Sequence, residues 1–389
     1  MIKTASIFAQ VISLINRRNF KKAVAETQAE RHSKKFRCWD QLICMLFCHL
    51  GSANSLREIC GGLASSMGKM VHLGLHDKPN KSTLAYANQN RPWQLFEKVF
   101  YNLLSEANLI AANQKQRFRF KNPLVSIDAS TIDLCLSMFD WAKFRRAKGA
   151  IKLHLMLQHK GYLPGWALIT DGKTHEVKVA QKLEFAPGTI VAMDRGYVDY
   201  ELFDHWTDWG VWFVTRAKSN MAYRVCRNRK FPDRSNVLKD QEIVFTGERA
   251  SKLCPRRMRR IVVWDAKKER EIVLLTNHMD FAASTISSIY KERWQIELFF
   301  KAIKQNLKLK TFVGTTENAV KIQVWTALIS ILMLKILKMR SKFNWSLSNL
   351  TAMLRFNLLA YRDLWSWIDD PYQSPASSPP DGQLLLFEL

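Results

Sequence analysis

Apolar residues recur at helical spacing through the first third of the 389-residue chain. This spacing predicts one helix over residues 4–16 and a second over residues 38–50. Ser55 is followed three positions later by Glu58, which is the arrangement of a capping box and predicts the start of a third helix. Residues 1–120 are therefore expected to form a helical domain.

From Pro123 onward the helical spacing gives way to short apolar runs and alternation, which are typical of β-strands. The predicted elements, in chain order, are a strand at 124–127 ending at Asp128, a hairpin over 151–170 turning at Lys160 and Gly161, a strand at 190–193 ending at Asp194, a helix over 198–209 and a strand over 211–218. Gly196 is expected to permit a sharp exit after the fourth strand. Residues 121–218 thus predict the first part of an α/β core.

The segment 219–276 interrupts this order with three further β-like pieces, at 242–248, 259–265 and 270–277. The 102 residues between Asp194 and Glu297 are more than an uninterrupted core needs. We therefore interpret 219–276 as a β-rich insertion, after which the helices of the core return over 277–370. Residues 371–389 are rich in Pro and Ser and predict a flexible tail.

A helix-like run at 289–309 concentrates charged and aromatic side chains on one face. At ~100° per residue, an arc of about 60° contains four side chains of different chemistry: Tyr290, Arg293, Glu297 and Lys304. Lys301 and Lys308 fall beside this arc. The neighbouring stripe is apolar and predicts contact with a core; it consists of Ile289, Ile296, Ile303 and Leu307.

One carboxylate framed by cations suits an acid that holds a metal while its neighbours hold phosphate oxygens. The i, i+4 spacing of Arg293 and Glu297 also fits a simple surface ion pair. Asp128 and Asp194 favour the metal-binding interpretation over the surface ion pair, because an acid at the end of a buried strand is costly unless it is paired or binds a metal. Either aspartate alone could be a helix cap or a turn residue. With Glu297, the two form a candidate carboxylate cluster.

These residues resemble the signature of the DDE transposases of bacterial insertion sequences, in the insertion-sequence-four family. The matching positions are Asp128, Asp194 within a DRGY run, and the Tyr-x-x-Arg-x-x-x-Glu-x(6)-Lys spacing of Tyr290, Arg293, Glu297 and Lys304. The resemblance covers roughly residues 5–340. It implies a ribonuclease-H-like catalytic core with the β-rich insertion and the helical N-terminal domain described above.

The resemblance also implies a metal-dependent reaction on DNA. Two Mg²⁺ ions, for which Mn²⁺ can substitute, would be held by Asp128, Asp194 and Glu297, with Asp128 shared between the ions. The enzyme would cleave a strand at the transposon end and then join the freed 3′-OH to a second phosphodiester. The remaining signature side chains would contact DNA: Tyr290, Arg293 and Lys304, with Lys301 beside them.

Charge agrees with a nucleic-acid partner, because the formal net charge is +25 and the pI is near 9.9. Residues 1–120 hold 18 Lys and Arg against 7 acids, and residues 216–275 hold 17 against 7. We expect the partners to be the terminal inverted repeats of the element and its target DNA, bound by a homodimer in the synaptic complex. Sequence-specific recognition is expected within residues 1–120, for which dimerisation or packing is the alternative role.

Two features of the predicted insertion are candidates for contact with DNA. Trp264 could stack on a flipped base, as insertion tryptophans do in families of this kind. The alternative is a strand tryptophan packed on the core. A run of four cations fits either a solvated face or contact with the DNA backbone; it consists of Arg256, Arg257, Arg259 and Arg260.

Other classes of protein are disfavoured. The seven cysteines form no Cys-x-x-Cys pair, so zinc is not expected, and Cys44 and Cys48 are interpreted as reduced core residues. The N-terminus lacks the cleavage site of a signal peptide. The apolar run 324–339 is short for a membrane span and contains Lys335, so it predicts a buried core helix. We expect a cytosolic, nucleoid-associated enzyme; a nuclease without strand transfer and a non-catalytic DNA-binding regulator are the alternatives.

Overall fold

Helices fill the chain before its first strand in the computed structural model, which describes residues 5–31, 33–66, 69–135, 137–145, 148–232, 235–307 and 311–372. They are α1 (Ile7–Ile12), α2 (Arg17–Thr27), α3 (Cys38–Leu50), α4 (Leu56–Ala64), α5 (Lys81–Asn90) and α6 (Gln94–Ala111). The prediction for 38–50 matches α3 at both ends, whereas the first helix is shorter because the chain turns at Ser13. Ser55 caps α4 as predicted, since its Oγ accepts a hydrogen bond from the Glu58 N–H at 3.1 Å.

The middle of the chain forms part of a mixed sheet. Its elements are β1 (Leu124–Leu134), β2 (Lys143–Arg145), β3 (Lys148–Gln158), β4 (Leu163–Asp171), α7 (Glu176–Ala180), β5 (Ile190–Met193), α8 (Tyr200–Asp208) and β6 (Trp212–Arg216). The predicted hairpin is confirmed as β3 and β4, and Gly161 in its turn has φ = 72°, which glycine tolerates. β1 is longer than predicted. Asp128 lies in its middle, because pairing with β3 continues as far as Leu134.

Strands of the predicted insertion extend this same sheet. Its elements are β7 (Tyr223–Asn228), β8 (Val237–Phe245), α9 (Glu248–Leu253), β9 (Met258–Asp265) and β10 (Arg270–Thr276). β10 pairs antiparallel with β6, so the strand order is β2-β3-β1-β5-β6-β10-β9-β8-β7, with β4 paired to β3. The three predicted β-like pieces correspond to β8, β9 and β10. The sequence pattern does not predict β7, because the residues of this strand are mostly exposed and show no sustained apolar alternation.

Helices return after the sheet: α10 (Ala283–Glu292), α11 (Trp294–Asn306), α12 (Glu317–Arg340), α13 (Leu347–Asn357) and α14 (Leu364–Asp369). α10 and α11 meet at Arg293, so the prediction of one continuous helix over 289–309 is wrong at this residue. Lys308 and all of the predicted tail except residues 371–372 lie outside the described residues. The observed fold is therefore α/β, with a large mixed sheet and helices on both of its faces.

The two faces of the sheet bury different helices. On one face α8 and α9 pack on β5 and β6, with Val191 and Met193 among the buried residues. On the other face α10 packs on β5 through Ile190 and Ala192. A third cluster joins β1, β3 and β4 to α11, α12 and the N-terminal helices, and it includes Cys44 and Cys48 as predicted. The N-terminal helices therefore share a core with the second half of the chain.

The central element of that shared core is α12. Its side chains from Ala319 to Leu337 are buried, with few exceptions, and it packs against α3, α6 and α13. With 24 residues, it is longer than the predicted apolar run and is the one helix in the described part of the chain that is long and apolar enough to cross a membrane. Its burial inside the fold is that of a core helix, which agrees with the interpretation from sequence.

His49 joins the N-terminal helices to this core. The His49 ring is fully buried, with Nδ1 3.2 Å from the Leu307 carbonyl oxygen and Nε2 3.0 Å from Thr326 Oγ1. Burial lowers the pKa of His49 to about 4, because the charged ring would lose its hydration without gaining a carboxylate partner. The folded protein consequently binds fewer protons at this site than the unfolded chain does between pH 6.5 and pH 4.

We expect this histidine to make the protein sensitive to acid. At pH 5 the depressed pKa of His49 should cost about 2 kcal/mol of folding free energy relative to pH 7, since stability falls where the unfolded state binds more protons. A His49→Gln variant should be somewhat less stable at pH 7 but should lose less stability on acidification. Thermal and chemical unfolding at both pH values test this, and equal losses in the two proteins would contradict it.

Candidate active site

The first two acids of the candidate cluster stand side by side because of strand pairing. β1 and β5 are parallel, with Ile127 opposite Met193. Asp128 directly follows Ile127, and Asp194 directly follows Met193. Because adjacent strands lie ~4.8 Å apart, the two aspartates are neighbours. Ile190 and Ala192 face α10, so alternation directs Asp194 to the same side. The sheet thus presents both acids towards the α10–α11 region.

Arg293 links this pair of acids to the third. Its Nη2 lies 2.5 Å from Glu297 Oε1, and its Nη1 lies 3.7 Å from Asp128 Oδ2. The residue is only 8% exposed. The i, i+4 ion pair of the alternative interpretation is therefore present, but it is not a simple surface pair, because Arg293 is a buried cation that bridges acids from the sheet and the helix.

The break between α10 and α11 gives Arg293 this position. Its N–H contacts the carbonyl oxygens of both Ile289 and Tyr290, at 3.3 and 3.2 Å, and the regular helical pattern is lost for one turn. The two helices on either side of Arg293 also contact different parts of the fold. α10 packs on β5 and β6, whereas α11 packs on β1, α12 and α13.

Local helical geometry still brings the signature side chains together. The Arg293 guanidinium carbon lies 5.6 Å from the centroid of the Tyr290 ring. Lys304 Nζ donates a hydrogen bond to the Thr131 carbonyl oxygen at 2.7 Å, three residues beyond Asp128 on β1. Lys301 is exposed on the same helix. The apolar stripe of the prediction is confirmed, because all four of its members are buried: Ile289, Ile296, Ile303 and Leu307.

Burial dominates the electrostatics of Asp128. The pKa of Asp128 is raised to about 6, mainly by burial; the Ala129 N–H and Arg293 oppose this rise, and the charges of Glu297 and Asp194 add to it. Asp194 Oδ1 instead accepts a hydrogen bond from the Gly196 N–H at 2.9 Å. Gly196 does not adopt a positive φ, so the conformational role expected for it is wrong. Its contribution is the backbone donor.

The acids offer the donor chemistry of a hard divalent cation, namely carboxylate oxygens on converging elements. Within the described residues, however, no group of three or more Asp, Glu, His or Cys side chains is close enough together to hold a metal ion. Arg293 supplies positive charge between Asp128 and Glu297 in this arrangement. The residue types therefore fit a divalent metal, whereas in the observed arrangement Arg293 bridges Asp128 and Glu297.

A second buried acid, which the sequence did not indicate, anchors the helix break. Glu292 is 2% exposed and immediately precedes Arg293. The Tyr162 hydroxyl donates to Glu292 Oε1 at 2.7 Å, and Arg117 forms an ion pair with Oε2. Burial and the Glu292 charge raise the pKa of Tyr162 to about 12. In the sequence Glu292 lies within a Lys-Glu-Arg run that resembles a solvent face, so no pattern signalled its burial.

The β9–β10 hairpin of the insertion lies beside the start of α11. Lys268 Nζ, at the tip of this hairpin, is 6.0 Å from the centroid of the Trp294 ring. Trp264 on the same hairpin is 41% exposed, which contradicts the alternative in which it packs on the core. Its contact with a base stays a prediction. Trp294, which directly follows Arg293, is 51% exposed, and the spacing of acids and cations in the sequence does not indicate it.

The arginine run of the insertion is mainly structural. Arg259 and Asp240 form an ion pair at 2.7 Å in which both side chains are 2% exposed. Arg256 contacts Asp204 at 2.7 Å and also pairs with Asp208, which ties the insertion to α8. A wholly solvated face is therefore the wrong interpretation of this run, because Arg259 is buried within the predicted insertion and Arg256 connects that segment to α8.

Comparison with known proteins gives a consistent result. The family described as transposase DDE domain matches residues 119–333, a range that contains all three acids. A domain of unknown function, DUF4372, matches residues 3–76. Protein y4zB of Sinorhizobium fredii, named as a transposase, is 29% identical over 306 residues, covering 78% of this chain and 84% of its own.

One further relative and one solved structure are also similar to this chain. A protein named as the transposase of insertion sequence element IS5377 from Geobacillus stearothermophilus is 29% identical over 280 residues, covering 71% of this chain and 72% of its own. Among solved structures, the piggyBac transposase synaptic complex with hairpin DNA overlaps 95% of this chain and 81% of its own, with a TM-score of 0.40 and 12% identity. That score is too low to establish a common topology.

The Glu292 anchor generates a stability prediction. Glu292→Gln should lower the free energy of unfolding by on the order of 2 kcal/mol, because it leaves Arg117 and the Tyr162 hydroxyl without their charged partner. Tyr162→Phe should cost less, and the two losses should not add, since both remove the same hydrogen bond. Glu201→Gln, at an exposed position on α8, is the control. Additive losses in unfolding experiments would show that Tyr162 and Glu292 act independently.

Proposed function

The chain belongs to the transposase DDE domain family and is a DDE-type transposase; from that premise we propose that it binds the terminal inverted repeats of an insertion sequence, cleaves there and joins the freed ends to target DNA. The observation that carries the proposal is the placement of Asp128, Asp194 and Glu297 on one side of the sheet, around the buried Arg293. The family resemblance of the sequence extends this proposal to the insertion-sequence-four branch and its Tyr-Arg-Glu-Lys signature.

The strand order supports a ribonuclease-H-like core. β1 is central. On one side β3 pairs antiparallel with β1 and β4 pairs antiparallel with β3, and on the other side β5 and β6 lie parallel to β1. The catalytic acids come from β1, from the end of β5 and from a helix after β6. We propose that this arrangement is the catalytic core and that the strands between β6 and α10 are an insertion into it.

Enzymes of this family are generally dependent on divalent metals. We propose Mg²⁺, as two ions, with Asp128 shared between them and with Asp194 and Glu297 completing one site each. Bound there, the ions would supply an activated water or 3′-OH and stabilise the leaving oxygen. Arg293, which contacts Asp128 and Glu297, would offer its positive charge to a phosphate bound beside them.

The cations near the acids fit contact with the phosphodiester that is cut. Lys304 lies over β1 beyond Asp128, and Tyr290 lies against Arg293, so both border the carboxylates. Positive charge placed there stabilises the negative charge that develops as the phosphodiester is attacked. We assign Tyr290, Arg293 and Lys304 to the transposon end, and Lys301 to flanking phosphates. Trp264, exposed on the neighbouring hairpin, would stack on a base displaced there.

We propose that the protein acts as a dimer on DNA. The synaptic complex would contain two copies of the chain, each holding one inverted repeat, and the enzyme would act on the nucleoid in the cytosol. Sequence-specific recognition is assigned to residues 1–120, whose net charge is strongly positive and which contain none of the three acids. The proposal fails if the purified protein and its element ends yield no cleaved or joined DNA in the presence of Mg²⁺.

Removing any one acid should abolish cleavage while leaving DNA binding intact. Asp128→Asn, Asp194→Asn and Glu297→Gln each remove one carboxylate charge from the proposed metal site, whereas the phosphate contacts come from other side chains. Asp128→Asn should also melt no lower than the wild type, because burial already disfavours the charged form of Asp128. Gel assays for cut and joined products test this. Near wild-type cleavage by any variant would remove that residue from the site.

Lys304→Ala should slow cleavage by about tenfold or more, since one charge contact in a transition state is worth roughly 1.4 kcal/mol or more. Lys304→Arg should recover part of the rate because it keeps the charge. The control is Lys291→Ala, an exposed lysine on α10. Unchanged melting temperatures would separate the effect from misfolding, and a fully active Lys304→Ala protein would assign Lys304 to packing on Thr131 alone.

A further inference from the structure

A basic cleft lies in the N-terminal half, away from the three acids. It has a volume of about 790 Å³ and is bounded by the α2–α3 loop on one side and by α5 with its preceding segment on the other. The cations that line it are Arg31, Lys34, Lys35, Lys78 and Arg91. We call this feature the α5 cleft.

The four outer cations of the α5 cleft are available for an external anion. Arg31, Lys34, Lys35 and Lys78 are exposed, and the ion pairs found among the described residues do not include them. Two acids also line the cleft. Asp40 is committed to the start of α3, where its Oδ2 accepts a hydrogen bond from the Arg37 N–H at 2.6 Å. Only Asp77 is an exposed acid there, so the cleft carries an excess of positive charge.

Arg91 forms the floor of the cleft and fixes its width. Its guanidinium donates to the Arg37 carbonyl oxygen at 2.9 Å, to Ser33 Oγ at 2.9 Å and to the Phe36 carbonyl oxygen. These bonds hold the α2–α3 loop against the end of α5. The lysines of the loop are therefore presented by a backbone that is already ordered, which lowers the entropic cost of binding.

α5 offers a surface of a different kind. Its inner face is buried through Leu84, Ala87 and Asn88, whereas Ser82, Thr83, Tyr86 and Gln89 are exposed. Tyr86 is 69% exposed, which has no explanation in the packing of the chain. Hydroxyl, amide and aromatic groups on one helical face are the groups that contact base edges. A 10-residue helix is about 15 Å long, and the major groove of B-DNA is about 12 Å wide.

We propose that the α5 cleft is the surface by which this protein reads the end of its element. One sugar-phosphate strand lies in the cleft against Arg31, Lys34, Lys35 and Lys78, and α5 enters the adjacent major groove with Thr83, Tyr86 and Gln89 towards the bases. The inference rests on the proposed function, since the duplex it commits to is the transposon end. Charge and helix exposure favour duplex DNA over an acidic protein partner, because an acidic protein would leave the polar face of α5 without a role.

Two variants of the full-length protein separate the two kinds of contact. Thr83→Ala/Tyr86→Ala should reduce the preference for a duplex carrying the element's terminal sequence over a scrambled duplex by about tenfold or more, with unchanged affinity for the scrambled duplex. Lys34→Ala/Lys35→Ala should weaken binding to both duplexes. It should also make the slope of log affinity against log salt shallower by about 2, since each lost phosphate contact removes about 0.9.

Matched controls remove the same groups from outside the cleft. Arg18→Ala/Lys21→Ala deletes two exposed cations from α2, and Leu109→Ala truncates an exposed side chain on α6. Both should bind like the wild type. Retained discrimination in Thr83→Ala/Tyr86→Ala, or equal salt slopes in the loop and α2 variants, overturns the inference. A wild-type protein that neither prefers nor cuts the terminal sequence would instead refute the proposed function, so the two failures are distinguishable.

Discussion

The structure depends on negative charge concentrated on one side of a sheet. Parallel pairing of β1 with β5 fixes Asp128 beside Asp194, and α11 adds Glu297 nearby. Burial, and to a smaller extent repulsion by the neighbouring acids, opposes ionisation there, and the pKa of Asp128 is raised to about 6. Arg293 offsets this cost by bridging the sheet and the helix. Arg293 makes both contacts from the junction of α10 and α11, so the helix break lies at the candidate site.

The break itself is held by a second ionic group. Glu292, Tyr162 and Arg117 join the end of α10 to the turn after β3 and to the segment before β1. A buried carboxylate of this kind contributes little net stability, since desolvation cancels most of its attraction, but it allows few alternative positions. The direction in which Arg293 leaves the backbone is therefore set by contacts outside the carboxylate cluster.

Sequence patterns correctly predicted the structural features that are determined by residues close together in the chain. The strand that ends at Asp194, the turn at Gly161 and the cap at Ser55 follow from local apolar runs and turn chemistry. The patterns failed for features that are determined by packing between residues far apart in the chain. Asp128 is internal to β1 because β3 continues to pair with it, and the break at Arg293 lies where α10 and α11 contact different parts of the fold. Glu292 has polar neighbours in sequence, so only the tertiary structure reveals its burial.

The proposed recognition surface on α5 and the helix that carries Glu297 are connected by direct packing. Asn318, in the first turn of α12, donates hydrogen bonds to the carbonyl oxygens of Asn88 at 2.9 Å and Arg91 at 2.7 Å, at the end of α5. α12 also packs against α11, which carries Glu297. Packed interiors transmit displacement because they have little free volume. A duplex seated on α5 would thus be held at a fixed distance from the carboxylates, and the bond that is cut would be set by that distance.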